Sequence, residues 1–107
     1  MKEIAILGYQ QSDSRSDAGA VNEVEMIMPV LERTFAQVGI NNAQDVDFVC
    51  SGSCDYLQGA AFAFVAGVDA LGAVPPIKES HVEMDAAWAL HESMLKIRMG
   101  HADSALI

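Results

Sequence analysis

The chain has 107 residues, 51% of them apolar, a formal net charge of −9 at pH 7 and an isoelectric point near 4.4. That length accommodates one small domain, whose folding buries about two-thirds of the surface the unfolded chain exposes. So acidic a balance excludes a nucleic-acid binder, which needs clustered Lys and Arg, and equally excludes attachment to an anionic membrane surface.

The mean hydropathy of +0.21 is high for so short a chain, and points either to layers buried on both faces or to a piece that meets a partner. No run of about 18 uncharged apolar residues is present to span a bilayer. The longest apolar stretch, Gly59 to Pro76, is broken by Asp69 and punctuated by Gly and Pro. The N-terminal apolar run is too short for a secretion signal and carries Glu3 where a basic region belongs. A cytoplasmic location is therefore expected, with Cys50 and Cys54 as free thiols.

In chain order, "EIAILGY" (3–9), ended by Gly8, predicts a buried strand, and "QQSDSRSDAGA" (10–20) a polar loop. From Asn22 to Val38, apolar side chains at Val24, Ile27, Met28, Leu31, Phe35 and Val38 fall at helical spacing, with Gly39 as C-terminal cap. Pro29 should kink this helix or mark its true start. "DVDFVCSG" (45–52) predicts a second strand entering a Gly/Ser turn. Residues 55–72 predict a helix from Asp55 to Gly72, apolar around most of its circumference. Pro75 and Pro76 make 73–82 an extended connector, and a periodic helix is predicted from about Glu83 to Met99, with Gly100 beyond its end. "ADSALI" (102–107) begins a third strand and stops, as the N-terminal portion of something longer would. The β-α-β-α-extended-α-β order argues for an α/β layered domain with a largely parallel sheet.

Chemistry concentrates where the last helix begins, in "ESHVEMDAAWALHES" (79–93). Ser80 and Glu83 have the spacing of a capping box, and Asp85 would sit in the first turn, where the helix dipole favours negative charge. A helix N-terminus at the end of a strand is also where α/β folds place reactive groups, its N–H groups converging on a developing oxyanion. Met84, Trp88, His91 and Leu95 share one helical stripe, read as core, with His91 as a satisfied core histidine. The thiols of "CSGSC" supply only half a zinc site and are read as small residues lining a tight turn.

The ordered pieces resemble the thiolase superfamily. "EIAILGY" resembles the opening strand of its members. "VLERTFAQVGINNAQDVDFV" resembles the helix, Gly turn and Asp-Val-Asp lead-in that follow, and "AWALHESMLKIRMGHADSALI" the helix running through a Gly-x-Ala-Asp turn into a central strand. "CSGSCDYLQG" and "PPIKESHVEMDAAWALHE" are most similar to the acetyl-CoA acetyltransferase or lipid-transfer-protein branch, associated with breakdown of steroid and other lipid side chains. The resemblance covers essentially all of 1–107, as the N-terminal part of a thiolase-like domain. It implies a layered half-domain of βαβαβ type with a mixed or parallel sheet.

Counting back without gaps from "MGHADSAL", the nucleophilic cysteine of that family falls on Glu83. The resemblance therefore does not extend to ordinary thiolase acyl transfer, because a carboxylate does not replace a thiol as nucleophile and leaving group. Some members of the branch lack the cysteine and act as aldolases on steroid side-chain CoA thioesters. The resemblance thus implies cleavage or formation of a C–C bond in an acyl-CoA substrate, by an acyltransferase or retro-aldol route. Glu83 is the candidate base, with Asp85 and His81 to orient or donate. It implies no cofactor bound by the chain itself, a homodimer, and a small OB-fold acyl-CoA-binding partner. The alternative is a non-catalytic thiolase-like subunit that binds acyl-CoA or scaffolds a partner.

Overall fold

A computed structural model describes residues 2–13, 19–72 and 78–107. Helix α1 (Glu23–Val38) is followed by a short 3-10 turn (Ala43–Asp45) and strand β1 (Phe48–Gly52). Helices α2 (Asp55–Gln58) and α3 (Val65–Leu71), strand β2 (Glu79–Val82), helix α4 (Ala86–Arg98) and strand β3 (Ala105–Leu106) complete the order. The strands form one sheet in the order β2-β1-β3, with β1 parallel to both neighbours. The expected α/β class and parallel sheet are present.

Helix α1 is fixed at both ends by its sequence. Asn22 Oδ1 accepts from the Glu25 N–H at 2.9 Å, and Glu25 Oε2 accepts from the Asn22 N–H at 3.0 Å, a reciprocal capping box. Gly39 ends the helix in the left-handed conformation, φ 79°. Pro29 lies inside the helix and does not mark its start.

The predicted N-terminal strand does not form. Residues 3–9 make no ladder bonds, and Ile6 and Leu7 are 76% and 79% exposed. The segment is tied down by side chains instead: the Tyr9 N–H and Gln10 Nε2 both donate to Gln37 Oε1, at 3.1 and 3.0 Å, and Lys2 pairs with Asp103 at 2.8 Å. An aliphatic run becomes a buried strand only where a sheet edge and a covering layer receive it, and here neither does.

The single helix expected over 55–72 is two helices. The Asp55 carboxylate, expected as an N-cap, accepts from the Phe62 and Ala63 N–H groups at 2.8 and 2.9 Å. This draws the chain back on itself, with Gly59 (φ 71°) and Phe62 (φ 59°) left-handed, before α3 begins at Val65 and packs on α1. Of the expected connector, 73–77, with Pro75 and Pro76, lies outside the described residues, and Glu79–Val82 is β2, hydrogen-bonded to β1.

The core lies between β1 and α4. Phe48, Cys50, Ala89, Ser93 and Ala102 are buried, with Val82, Ile97 and Ala105 packed against them. This overturns the predicted face of the last helix. Met84, Trp88 and Leu95 are 56%, 52% and 44% exposed, and His91 is exposed, edge-on to Trp88 with ring centroids 6.1 Å apart. The face turned to the sheet carries Ala89 and Ser93, one turn apart, whose small side chains let helix and strand approach closely. The approach is tightest at Gly52, where a Cβ would collide with the Asp85 carbonyl and come within 2.9 Å of the Ala86 nitrogen.

Candidate functional site

In an open parallel sheet, ligands bind outside the carboxyl ends of the strands. Those ends carry Ser53 after β1 and Glu83 after β2. The Ser53 N–H donates to the Val82 carbonyl at 3.2 Å, extending the pairing of the two strands by one residue. In the parallel register Cys50 faces Ser80 and Ser51 faces His81. Side chains alternate along a strand, so Val82 packs into the core beneath α4 while His81 points to the opposite face. There its ring stacks on Phe64, centroids 4.7 Å apart and planes 24° from parallel.

Two groups meet the same nitrogen of that ring. Ser53 Oγ lies 2.9 Å from His81 Nε2, and Glu83 Oε2 lies 3.7 Å from it. The other Glu83 oxygen, Oε1, accepts from the Asp55 N–H at 2.5 Å, which holds the carboxylate beside the imidazole. The Asp55 carboxyl is kept below the usual carboxylate range, first by the N–H bonds from Ala63 and Phe62 and further by the nearby His81. The arrangement differs from the serine-hydrolase relay, in which the acid holds the nitrogen that the hydroxyl does not touch. Here the carboxylate offers a counter-charge to an Nε2–H that appears when the imidazole takes a proton.

Of the three residues singled out from sequence, His81 and Glu83 come together. Asp85 does something else: its Oδ1 accepts from the Ala87 and Trp88 N–H groups at 3.0 and 3.3 Å, making it the N-cap of α4. The predicted Ser80–Glu83 capping box is therefore absent, because Ser80 lies within β2 and the helix begins three residues beyond Glu83. Of the α4 N–H groups proposed for an oxyanion, those of Ala87 and Trp88 are engaged by this cap.

Compared with protein-family models, with curated proteins and with solved structures, the chain matches none.

Ser53 is the residue that sequence reasoning passed over. "CSGSC" reads as a tight turn, yet a small hydroxyl residue one step beyond a strand ending in Gly is placed where parallel sheets carry their chemistry. The neighbouring thiols are unequal. Cys50 is fully buried and its thiol is pushed up, first by burial and next by the charge of Glu92; Cys54 is half-buried. Among the described residues, no three His, Cys, Asp or Glu side chains converge to hold a metal ion, and no helix is long and apolar enough to cross a membrane. An open groove of about 570 Å³ lies at the opposite end of the sheet, by the amino ends of the strands, lined by Phe48, Lys78, Glu79, Lys96, His101 and Ala102, and takes in neither His81 nor Glu83.

Proposed function

We propose that the chain is the N-terminal part of a thiolase-like enzyme acting on acyl-CoA thioesters in lipid or steroid side-chain breakdown, breaking or forming a C–C bond beside the thioester. The observation that carries the reading is the His81 imidazole held between Ser53 and Glu83 at the carboxyl end of a parallel sheet. The resemblance of "KESHVEMDAAWALHE" to the active-site turn of the lipid-transfer branch supplies the substrate class.

In the retro-aldol direction the base is His81 Nε2 in place of Glu83, the candidate from sequence, because one Glu83 oxygen is engaged by the Asp55 N–H. His81 Nε2 removes the proton of the β-hydroxyl. The Cα–Cβ bond breaks as the carbonyl forms, and its electron pair passes into the thioester enolate. The imidazolium then protonates the α-carbon and returns to its neutral state. Glu83 stabilises the imidazolium, which exists only between those two proton transfers, so its effect falls on the barrier. Asp85 sets the start of α4 at the edge of the site. A cytoplasmic homodimer, working with a small OB-fold acyl-CoA-binding partner, belongs to the same proposal.

The test is cleavage of β-hydroxyacyl-CoA and β-ketoacyl-CoA substrates. Loss of turnover in Glu83→Gln with acyl-CoA binding retained supports the reading, and a Glu83→Gln variant with wild-type turnover overturns it. One observation favours the second reading, a non-catalytic subunit that binds acyl-CoA or scaffolds a partner: the outer stripe of α4 exposes Trp88, Leu95 and Met99 together. Acyl-CoA binding without turnover, in the presence and absence of an OB-fold partner, would select that alternative.

A further inference from the structure

We infer that Ser53 is a covalent acyl acceptor, with His81 as its general base, which gives the site a hydrolytic activity toward β-ketoacyl thioesters. The inference takes its substrate class from the proposed acyl-CoA reading and its chemistry from the geometry around Nε2.

A serine hydroxyl is a weak nucleophile until an adjacent base takes its proton, and the mark of such a pair is hydrogen-bond contact with a base held in place by other groups. Ser53 and His81 meet each of these requirements. Ser53 Oγ is 2.9 Å from Nε2, its backbone is anchored by the bond to the Val82 carbonyl, and the imidazole is fixed by the Phe64 ring. Ser53 is half-buried, so an incoming carbonyl can reach it. With the neutral ring accepting at Nε2, Glu83 has no proton to bind there. Once the hydroxyl proton has moved to Nε2, the carboxylate faces a cation 3.7 Å away. The attraction grows as the nucleophile forms, which is the condition for acceleration.

Ser53 Oγ attacks the β-keto carbon while His81 Nε2 takes its proton. The tetrahedral adduct collapses by breaking the Cα–Cβ bond, the electron pair leaves as the thioester enolate, and the imidazolium protonates the α-carbon to release acetyl-CoA. The remaining acyl group is held on Ser53 as an oxyester. Water then adds to it, giving its proton to His81, and His81 returns that proton to Ser53 Oγ as a carboxylic acid departs. The net reaction is β-ketoacyl-CoA plus water to carboxylic acid plus acetyl-CoA. Serine thereby restores at this end of the sheet the covalent step that Glu83, standing at the thiol position by resemblance, does not supply.

The experiment exposes the chain to p-nitrophenyl acetate and to acetoacetyl-CoA, followed by intact mass measurement and peptide mapping after an acid quench. One acetyl group per chain on Ser53 is expected. It should be absent in Ser53→Ala, reduced by about 10²-fold or more in His81→Asn, and unchanged in Cys54→Ala. Circular dichroism on each variant separates loss of folding from loss of chemistry, and Ser53→Cys, with its stronger nucleophile, should label faster than the wild type. No adduct on the wild-type chain, an adduct that follows Cys54, or Ser53 labelling undiminished in folded His81→Asn overturns the inference. Cleavage of β-hydroxyacyl-CoA by a chain that never labels would sink the Ser53 step alone and leave the proposed function standing.

Discussion

Glu83 and Asp55 are joined across the ends of two parallel strands: Glu83 Oε1, just past β2, accepts the Asp55 N–H at 2.5 Å. The same carboxylate presents its second oxygen to His81. Glu83 therefore has a structural duty toward the turn after β1 and an electrostatic duty toward the imidazole, and two substitutions separate them. Glu83→Gln keeps a carbonyl oxygen for the Asp55 N–H but removes the charge, so melting should change by less than about 1 kcal/mol while turnover on acyl-CoA falls by about 10²-fold or more. Glu83→Ala removes both and should also loosen the turn, seen as faster amide exchange at Asp55. Equal exchange rates in the two variants would show that the hydrogen bond does not hold the turn.

Asp85 and α4 give a prediction about stability. Replacing an N-cap carboxylate with Ala costs about 1 kcal/mol, and for a chain of this size that lowers the melting temperature by about 4–8 °C. Asp85→Asn, which keeps an acceptor oxygen for the Ala87 and Trp88 N–H groups, should recover most of the loss, while Ser80→Ala should leave the α4 cap intact. Thermal unfolding of the three variants checks the assignment of the cap to Asp85 over Ser80.

A third prediction concerns Gly52. A Cβ there would meet backbone atoms of Asp85 and Ala86, which cannot rotate away as a side chain can. Gly52→Ala should therefore push α4 off the end of β1 and destabilise the chain by about 1–3 kcal/mol, the range for overpacking a tight contact. Because Ser53 follows directly, the same variant should slow acetylation of Ser53. Wild-type stability in chemical denaturation would mean that the contact relaxes freely.

What was legible in the sequence was whatever a local signal decides. The helical spacing from Val24 to Val38 and the Gly39 cap locate α1, and the run ending in Gly52 is β-branched and aromatic in its buried half. The losses have specific physical causes. Hydropathy weights bulk, so the stripe through Trp88 and Leu95 looked like core; the contact with β1 is made by Ala89 and Ser93, whose value is their small size. Periodicity does not see a carboxylate that bonds the backbone seven residues on, so Asp55 split a helix that looked continuous. Strand formation is settled by partners far along the chain, and "EIAILGY" found none while "ESHV" paired with β1. At the site, His81 and Glu83 were visible because they flank a helix start, and Ser53 was not, because its partner lies 28 residues away.

Acid should act on the turn that Asp55 closes. Its carboxylate is held below its ordinary value by the Ala63 and Phe62 N–H groups. A depressed carboxylate contributes stability that is fully present above the unfolded-state value of 3.8 and is lost as pH falls through the lower folded-state value. Amide exchange at Phe62 and Ala63 should therefore be protected at neutral pH and lose that protection only below about pH 4. Asp55→Asn should abolish the acid step by removing the titrating group. An acid step that persists in Asp55→Asn would assign it to another carboxylate.

The two thiols should behave differently, and the reason lies in the core. Cys50 is fully enclosed with Ser93 of α4 beside it, and burial raises its thiol, so at mildly alkaline pH it is short of both access and thiolate. Cys54, half-buried at the turn into α2, has access. Titration of the native chain with a chromogenic disulfide should therefore release one equivalent quickly and the second only at the rate of unfolding, with denaturant releasing both together. Cys54→Ala should abolish the fast equivalent, and Cys50→Ala should leave it intact. Ala89→Gly, which thins the α4 face over β1, should bring the slow equivalent forward. If both thiols react at one rate in native buffer, α4 does not seal β1 as the packing of Ala89 and Ser93 requires.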